Sequence, residues 1–231
     1  MKIGLLECDH VTPAFRHIAG DYSDMFQALL PALAIEPYDV CNGHFPESVQ
    51  ACDAFICTGS RHSVYDDIGW IHQLKAFFRQ MREARTPFVG LCFGHQMMAE
   101  ALGGSVAKAE VGWCVGVHDF SVSETAGWMQ PQQPAYKLLM LCQDQVVALP
   151  PDSRLLASAA DCPVGMYQIG DHMLGIQAHP EFSKAYVEAV IRNRIQRIGE
   201  EKARVAIASL EQPLDTETIV QWILQFLKQQ V

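Results

Sequence analysis

Val89-Gly90-Leu91-Cys92-Phe93-Gly94-His95-Gln96 is the stretch in which this chain declares its architecture. An apolar run over 87–91 stops at Cys92, and a stretch with helical spacing, 93–102, starts at once. A strand that turns directly into a helix thrusts the residue at the turn outward. The helix N-terminus then aims its free N–H groups and the positive end of its dipole at that side chain. A cysteine held there is drawn toward thiolate, its reactive form. Gly90 and Gly94 flank the turn, where a side chain would crowd the backbone. The pattern is that of a nucleophile elbow, with cysteine where hydrolases place serine.

Working outward, residues 2–8 form a short apolar run with β character, and 21–30 carry helical spacing that stops at Pro31. Residues 34–41 read as a second strand before the Asn42-Gly43 turn, and 54–58 as a third, closed by Gly59-Ser60. Residues 68–85 are amphipathic, with Ile71, Leu74, Phe77, Phe78 and Met81 on one side, and Thr86-Pro87 ends them. Gly103-Gly104 closes the helix that follows the elbow. Beyond residue 105 the pattern changes. Residues 111–122, 138–141, 154–158, 164–169 and 173–177 look like strands joined by turns, whereas 182–198, 201–210 and 216–228 read as closing helices. The prediction is an α/β fold: a flavodoxin-like three-layer sandwich, with a central mostly parallel sheet and an antiparallel extension. Ligands bind at the carboxyl ends of the strands in such sheets, which is where Gly59 and Cys92 fall. No repeat or linker marks a boundary, so one domain over 1–231 is expected.

Composition narrows the function. The chain has 231 residues, 49% of them hydrophobic, and a formal net charge of -9. No lysine or arginine cluster suggests a nucleic-acid partner. No apolar run reaches membrane-spanning length, and the N-terminal run is too short for a signal peptide. The eight cysteines therefore read as reduced thiols of a cytoplasmic protein. Cys52 and Cys57 are not spaced like a zinc pair, so neither metal nor cofactor is expected. Cys8, Cys41, Cys57, Cys114 and Cys142 lie within or beside apolar runs and read as small core hydrophobes.

A cysteine nucleophile needs a base, and the base needs an orienting group. Among nine histidines one stands out, in Gln177-Ala178-His179-Pro180-Glu181, just after a predicted strand. Pro180 disfavours helical geometry at His179. The extended chain then puts His179 and Glu181 on one side, where the carboxylate can accept the imidazole N–H. Cys92, His179 and Glu181 make a complete set of nucleophile, base and orienter.

Cys-Phe-Gly-His-Gln followed far downstream by His-Pro-Glu resembles the class I glutamine amidotransferase family, and the order of strands and helices matches it across nearly the whole chain. The stretches 20–26, 59–65, 112–117 and 143–146 are most similar to the stand-alone branch akin to the amidotransferase domain of GMP synthetase, which includes γ-glutamyl peptidases. The resemblance implies attack by Cys92 on the side-chain amide of glutamine, or on another γ-glutamyl carbonyl, and a γ-glutamyl thioester. Backbone N–H groups of Gly59 and Phe93 are the expected oxyanion donors. Gln96 matches the family residue that helps hold the substrate. Two departures stand out: Thr58-Gly59-Ser60 replaces a Gly-Gly-Pro-like loop, and Leu141-Cys142-Gln143-Asp144 lacks the family's Ser-His. Asp144 reads as a turn residue, and Asp144 and Gln145 as neighbours of the pocket at most. His10, Arg61 and His62 read as solvated loop residues at the active-site edge. His95 need not touch substrate, and Met97 and Met98 read as core or helix-face residues.

Three functions compete. The first is glutamine hydrolysis that supplies ammonia to a separate synthetase, since the chain itself carries no P-loop. The second is a self-sufficient γ-glutamyl hydrolase or peptidase with a more open pocket. The third is a binding module that kept the fold, against which the complete triad argues.

Overall fold

The computed structural model describes residues 1–229. Strands β1 (Lys2–Leu6), β2 (Ala34–Tyr38), β3 (Ala54–Cys57), β4 (Phe88–Leu91) and β11 (Met173–Ile176) pair in parallel, in the order β2-β1-β3-β4-β11. Side chains alternate across a strand, and both faces of this sheet are covered, so its strands read as nearly continuous apolar runs. Ile3, Leu5, Ile56, Val89 and Ile176 face one core, and Leu6, Phe55, Cys57 and Phe88 face the other. The first core is closed by α2 (Tyr22–Leu29) and α8 (Thr216–Lys228), the second by α3 (Gly69–Ala84) and α4 (Phe93–Ala101). Each fully buried Leu, Ile or Phe in these layers contributes about 1.5–3 kcal/mol relative to exposure. The three-layer parallel half is as the sequence predicts.

Local signals set the ends of these elements. Asp21 caps α2 through a capping box, its carboxylate accepting the Tyr22 N–H while Asp24 accepts the Asp21 N–H at 2.8 Å. A short helix, α1 (Arg16–Ala19), precedes it. Arg85, at φ 54°, terminates α3 just before Thr86-Pro87. The expected second strand is shorter than 34–41: it stops at Tyr38, and Val40–Asn42 forms a 3-10 turn that Gly43 closes at φ 87°.

The antiparallel half extends from β11 through β10 (Cys162–Ile169), β9 (Ser153–Ala159) and β6 (Cys114–Val122) to β7 (Ala135–Cys142) at the edge. This half curls. An antiparallel bridge between Leu139 and His179 returns the edge strand to the chain that has just left β11. Two strands were not predicted: β5 (Ser105–Lys108) and β8 (Asp144–Ala148) pair only with each other. Asp144, read as a turn residue, is instead the first residue of a strand. The predicted closing helix over 182–198 is two helices, α5 (Lys184–Asn193) and α6 (Ile195–Ile198), hinged at Arg194. A last helix, α7 (Glu200–Ser209), packs its Ala203 and Ala206 with Val115 and Leu139 in a third core.

Candidate active site

β4 ends at Leu91, and Cys92 sits at φ 48°, ψ -99°, a conformation that side chains rarely adopt. Such strain persists only where the surroundings over-determine it. Here the Cys92 N–H donates to the Ile176 carbonyl at 2.9 Å, and the Gly94 N–H to Thr58 at 3.2 Å. The flanking glycines are sterically required. A Cβ on Gly90 would lie 2.5 Å from the Gly94 backbone, and one on Gly94 would lie 2.7 Å from the Cys57 carbonyl oxygen.

β11 runs beside β4 with Ile176 opposite Leu91, so residues 177–181 emerge next to the elbow. His179 is pinned there. Its N–H donates to the Leu139 carbonyl at 2.8 Å, and its ring stacks on Phe182 with centroids 4.0 Å apart. Nδ1 lies 2.7 Å from Glu181 Oε1. With Nδ1 engaged, Nε2 is the nitrogen left for the sulfur, and it has no conventional hydrogen-bond partner among the described residues. Cys92, His179 and Glu181 are all buried. The three residues singled out from sequence thus come together.

Their protonation is coupled. Hydrogen bonding by the Cys142 thiol, opposed by burial and helped by the charge of His179, pulls the Cys92 thiol down to about 5. Burial opposes a charge on His179, but the Glu181 carboxylate and the Cys92 sulfur outweigh it and lift the imidazole to about 10. Between those limits the pair is thiolate and imidazolium, two opposite charges that stabilise each other. His95 behaves differently. Burial drops it to about 3, and its ring meets Tyr167 edge-on beneath the elbow, so it stays neutral and away from the sulfur.

Gly59 follows β3 and meets both partners: a Cβ there would lie 3.0 Å from His179 Cε1 and 3.8 Å from Cys92 Cβ. Neither the Gly59 nor the Phe93 N–H is used in the turn and cap hydrogen bonds of the described residues. Hydroxyls hold this departure from the Gly-Gly-Pro pattern in place. Thr58 Oγ1 accepts the Cys8 N–H at 3.0 Å, and Ser60 Oγ donates to the Cys8 carbonyl at 2.8 Å. Gln96 is buried, and its Nε2 donates to the Asp144 carbonyl at 2.6 Å and to Gln177 Oε1 at 3.1 Å. What Gln96 offers the space above it is therefore its carbonyl oxygen.

A cavity of about 140 Å³ opens on one side of Cys92, lined by Ser63, Gln96, Lys108, Trp113, Cys142 and Asp144 among others. A smaller one, about 30 Å³, lies on the other side, between Gly59, His179, Phe182, Tyr22 and Tyr186. Ser60, Arg61, Cys92, Leu141 and Arg194 belong to both, so the two form one groove across the thiol. In a chain of net charge -9, this groove gathers Arg61, Lys108, Arg194 and Arg197.

Several readings change here. Cys142, taken as a core hydrophobe, reaches the cavity beside Cys92 because the curl of β7 carries it there, and burial with the neighbouring sulfur keeps it a thiol. Asp144 lines the cavity, and its carboxylate accepts hydrogen bonds from the Ser63 hydroxyl and from Tyr65 Oη at 3.0 Å. Gln145 turns away from the groove and donates to the Asp161 carbonyl at 2.6 Å. Arg61 is exposed but fixed: its guanidinium pairs with Asp9 at 2.7 Å. His62 lines the larger cavity. His10 lies farther along the edge, between Asp21 and Asp39. It forms with Asp39 and Cys41 a half-buried group whose ligand-type atoms lie within 4.8 Å of one another. That is one ligand short of a closed zinc site. No helix among the described residues is long and apolar enough to cross a membrane.

Comparison with known proteins accords with this geometry. The sequence pattern described as glutamine amidotransferase class-I matches residues 37–198. Gamma-glutamyl peptidase 4 of Arabidopsis thaliana is 32% identical over 174 residues, covering 71% of this chain and 69% of that protein. A glutamine-hydrolysing GMP synthase of Aromatoleum aromaticum is 32% identical over 64% of this chain but only 28% of its own length. In three dimensions, a glutamine amidotransferase from Thermotoga maritima superposes with a TM-score of 0.76 over 98% of this chain and 96% of its own, at 16% identity. That last likeness concerns the fold alone. Taken with the matched pattern over most of the chain, these findings place it: it belongs to the class-I glutamine amidotransferase family.

Proposed function

We propose that this protein hydrolyses γ-glutamyl amide bonds through a thioester on Cys92. The observation that carries the reading is the convergence of a thiol held near pKa 5 with an imidazole whose Nδ1 is bound by Glu181 at 2.7 Å. The thiolate attacks the γ-carbonyl carbon. Oxyanion charge gathers between the Gly59 and Phe93 N–H groups, which are preorganised donors. The C–N bond breaks as His179 gives its Nε2 proton to the departing nitrogen, leaving a γ-glutamyl thioester and a neutral imidazole. His179 then takes a proton from water, hydroxide attacks the thioester carbonyl, and thiolate leaves with glutamate as product. Glu181 keeps the imidazole in the needed tautomer throughout. Gln96 presents its carbonyl oxygen to the γ-glutamyl end, and Asp144 supplies a carboxylate beside it for the substrate ammonium.

Two substrates fit this chemistry. Free glutamine releases ammonia, which needs a separate synthetase as acceptor. A γ-glutamyl peptide or conjugate releases an amine and needs no partner. The groove continues past the sulfur on the His179 side, where the leaving group departs, and this space favours the second reading. All eight cysteines are free, which suits a reducing cytoplasmic setting.

The test is direct. Purified protein receives glutamine and, separately, γ-glutamyl dipeptides, with Cys92→Ala as control. Ammonia or free amino acid should appear only with Cys92 present. No turnover of either substrate, together with no labelling of Cys92 by an electrophilic glutamine analogue, would reject hydrolysis.

A further inference from the structure

The two cavities share an arginine, Arg194, that forms no salt bridge among the described residues. Arg194 sits at the joint between α5 and α6, and the helix break at φ -103°, ψ 13° sets where its side chain goes. Arg194 lines the groove on both sides of Cys92. Nearby arginines are engaged differently: Arg61 pairs with Asp9 across the groove, Arg192 with Glu188 on the helix surface, and Arg197 lies over the Trp113 ring. Arg194 makes no salt bridge among the described residues; its neighbours are the Tyr22 and Tyr186 phenols, a second cation, Arg197, and, more weakly, the Asp9 carboxylate that already pairs with Arg61. Burial already disfavours its charge. A half-buried guanidinium with no carboxylate bound to it is costly, and planar bidentate capture of a carboxylate is what that group does best.

The position gives the anion its identity. His179 hands its proton to the departing nitrogen, so the leaving group lies on the side of His179, Phe182 and Tyr186, where Arg194 projects. When the leaving group is an α-amino acid, its carboxylate is carried by the very carbon bonded to that nitrogen. Ammonia carries nothing. We propose that Arg194 binds the carboxylate of the leaving portion, so that the preferred substrates are γ-glutamyl amides of amino acids or short peptides rather than glutamine or amides of neutral amines. The assignment rests on the Cys92 hydrolysis proposed above and adds to it a residue that chooses the substrate.

The experiment compares γ-glutamylglycine with γ-glutamylglycinamide, which differ by the one carboxylate. The wild-type protein should favour the acid in kcat/KM by about 10- to 150-fold, the range expected of a charge-assisted hydrogen bond. Arg194→Gln should erase that preference, mainly through KM for the acid, and Arg194→Lys should restore part of it. Equal kcat/KM for the two substrates in the wild-type protein would overturn the assignment without any variant. An Arg194→Gln loss that is the same for acid and amide would overturn it too, because the guanidinium would then serve the shared γ-glutamyl end or the fold. Turnover of neither substrate by the wild-type protein would instead remove the hydrolysis reading, and this assignment with it.

Discussion

Replacing Cys142 with alanine should raise the titration midpoint of Cys92. The Cys142 thiol is the leading cause of the low value, about 5, at the neighbouring sulfur. A hydrogen bond to a charged acceptor is worth about 1.5–3 kcal/mol. At about 1.4 kcal/mol per pKa unit, its loss moves the midpoint up by about one to two units. At pH 5 the thiolate share of Cys92 then falls from about one half to less than about a tenth. The sign is fixed: only thiolate reacts, so reactivity is lost from the acid side, while well above the raised midpoint, from about pH 8 or 9 upward, wild type and variant are both almost fully ionised. The assay is the rate of Cys92 alkylation by iodoacetamide against pH, followed on the Cys92 peptide by mass spectrometry. It needs no substrate. Cys142 is held as a thiol well above its ordinary range and does not compete for the reagent. The midpoint is the quantity to read, because a more basic thiolate is also more nucleophilic and lifts the plateau. Cys142→Ser keeps a donor and should keep the midpoint low. An unmoved midpoint in the alanine variant, or an equal rise in the serine variant, would refute the reasoning.

Glu181→Gln removes the charge that lifts His179, so the alkaline limb of the kcat/KM profile, near pH 10 in the wild-type protein, should move toward neutrality while kcat falls. The loss in kcat is about 10- to 150-fold if the charge-assisted bond to the imidazole is worth about 1.5–3 kcal/mol, and a pH–rate profile superimposable on the wild type would contradict it. Gly90→Ala puts a methyl 2.5 Å from backbone atoms of Gly94 that cannot rotate away. Overpacking of that kind costs about 1–3 kcal/mol, which at this chain length lowers the melting temperature by about 2–4 °C per kcal/mol. A melting point within a degree of the wild type by circular dichroism would show that the elbow has slack.

How much of this was legible in the sequence depended on how local each signal was. β1, β3, β4 and β11 are short apolar runs bounded by turn residues, and the elbow between β4 and α4 is written in consecutive residues. His179 and Glu181 are two apart in an extended segment, so their pairing was legible as well. β5 and β8 were hidden because both are short and partly polar, and each is held by the other rather than by the main sheet. Asp144 therefore looked like a turn. Cys142 ends a run that reads as packing, and only the curl that bridges Leu139 to His179 carries it to Cys92. Arg194 was buried inside a helical pattern: neither glycine nor proline announces the break between α5 and α6.

The parallel pairing of β4 with β11 makes everything from the end of α4 to β10 an excursion between two strands that lie side by side. For a flexible excursion, doubling the length raises the closure cost by only about 0.6 kcal/mol. Yet this detour furnishes Lys108, Trp113, Cys142 and Asp144, a whole wall of the groove. The Cys92 sulfur and the His179 imidazole are anchored on the parallel framework at either end of it. Remodelling the detour thus changes what lines the groove while leaving the juxtaposition of sulfur and imidazole untouched. It also means that a fragment ending before β11 lacks His179 and Glu181, which come beside Cys92 only through the last parallel strand.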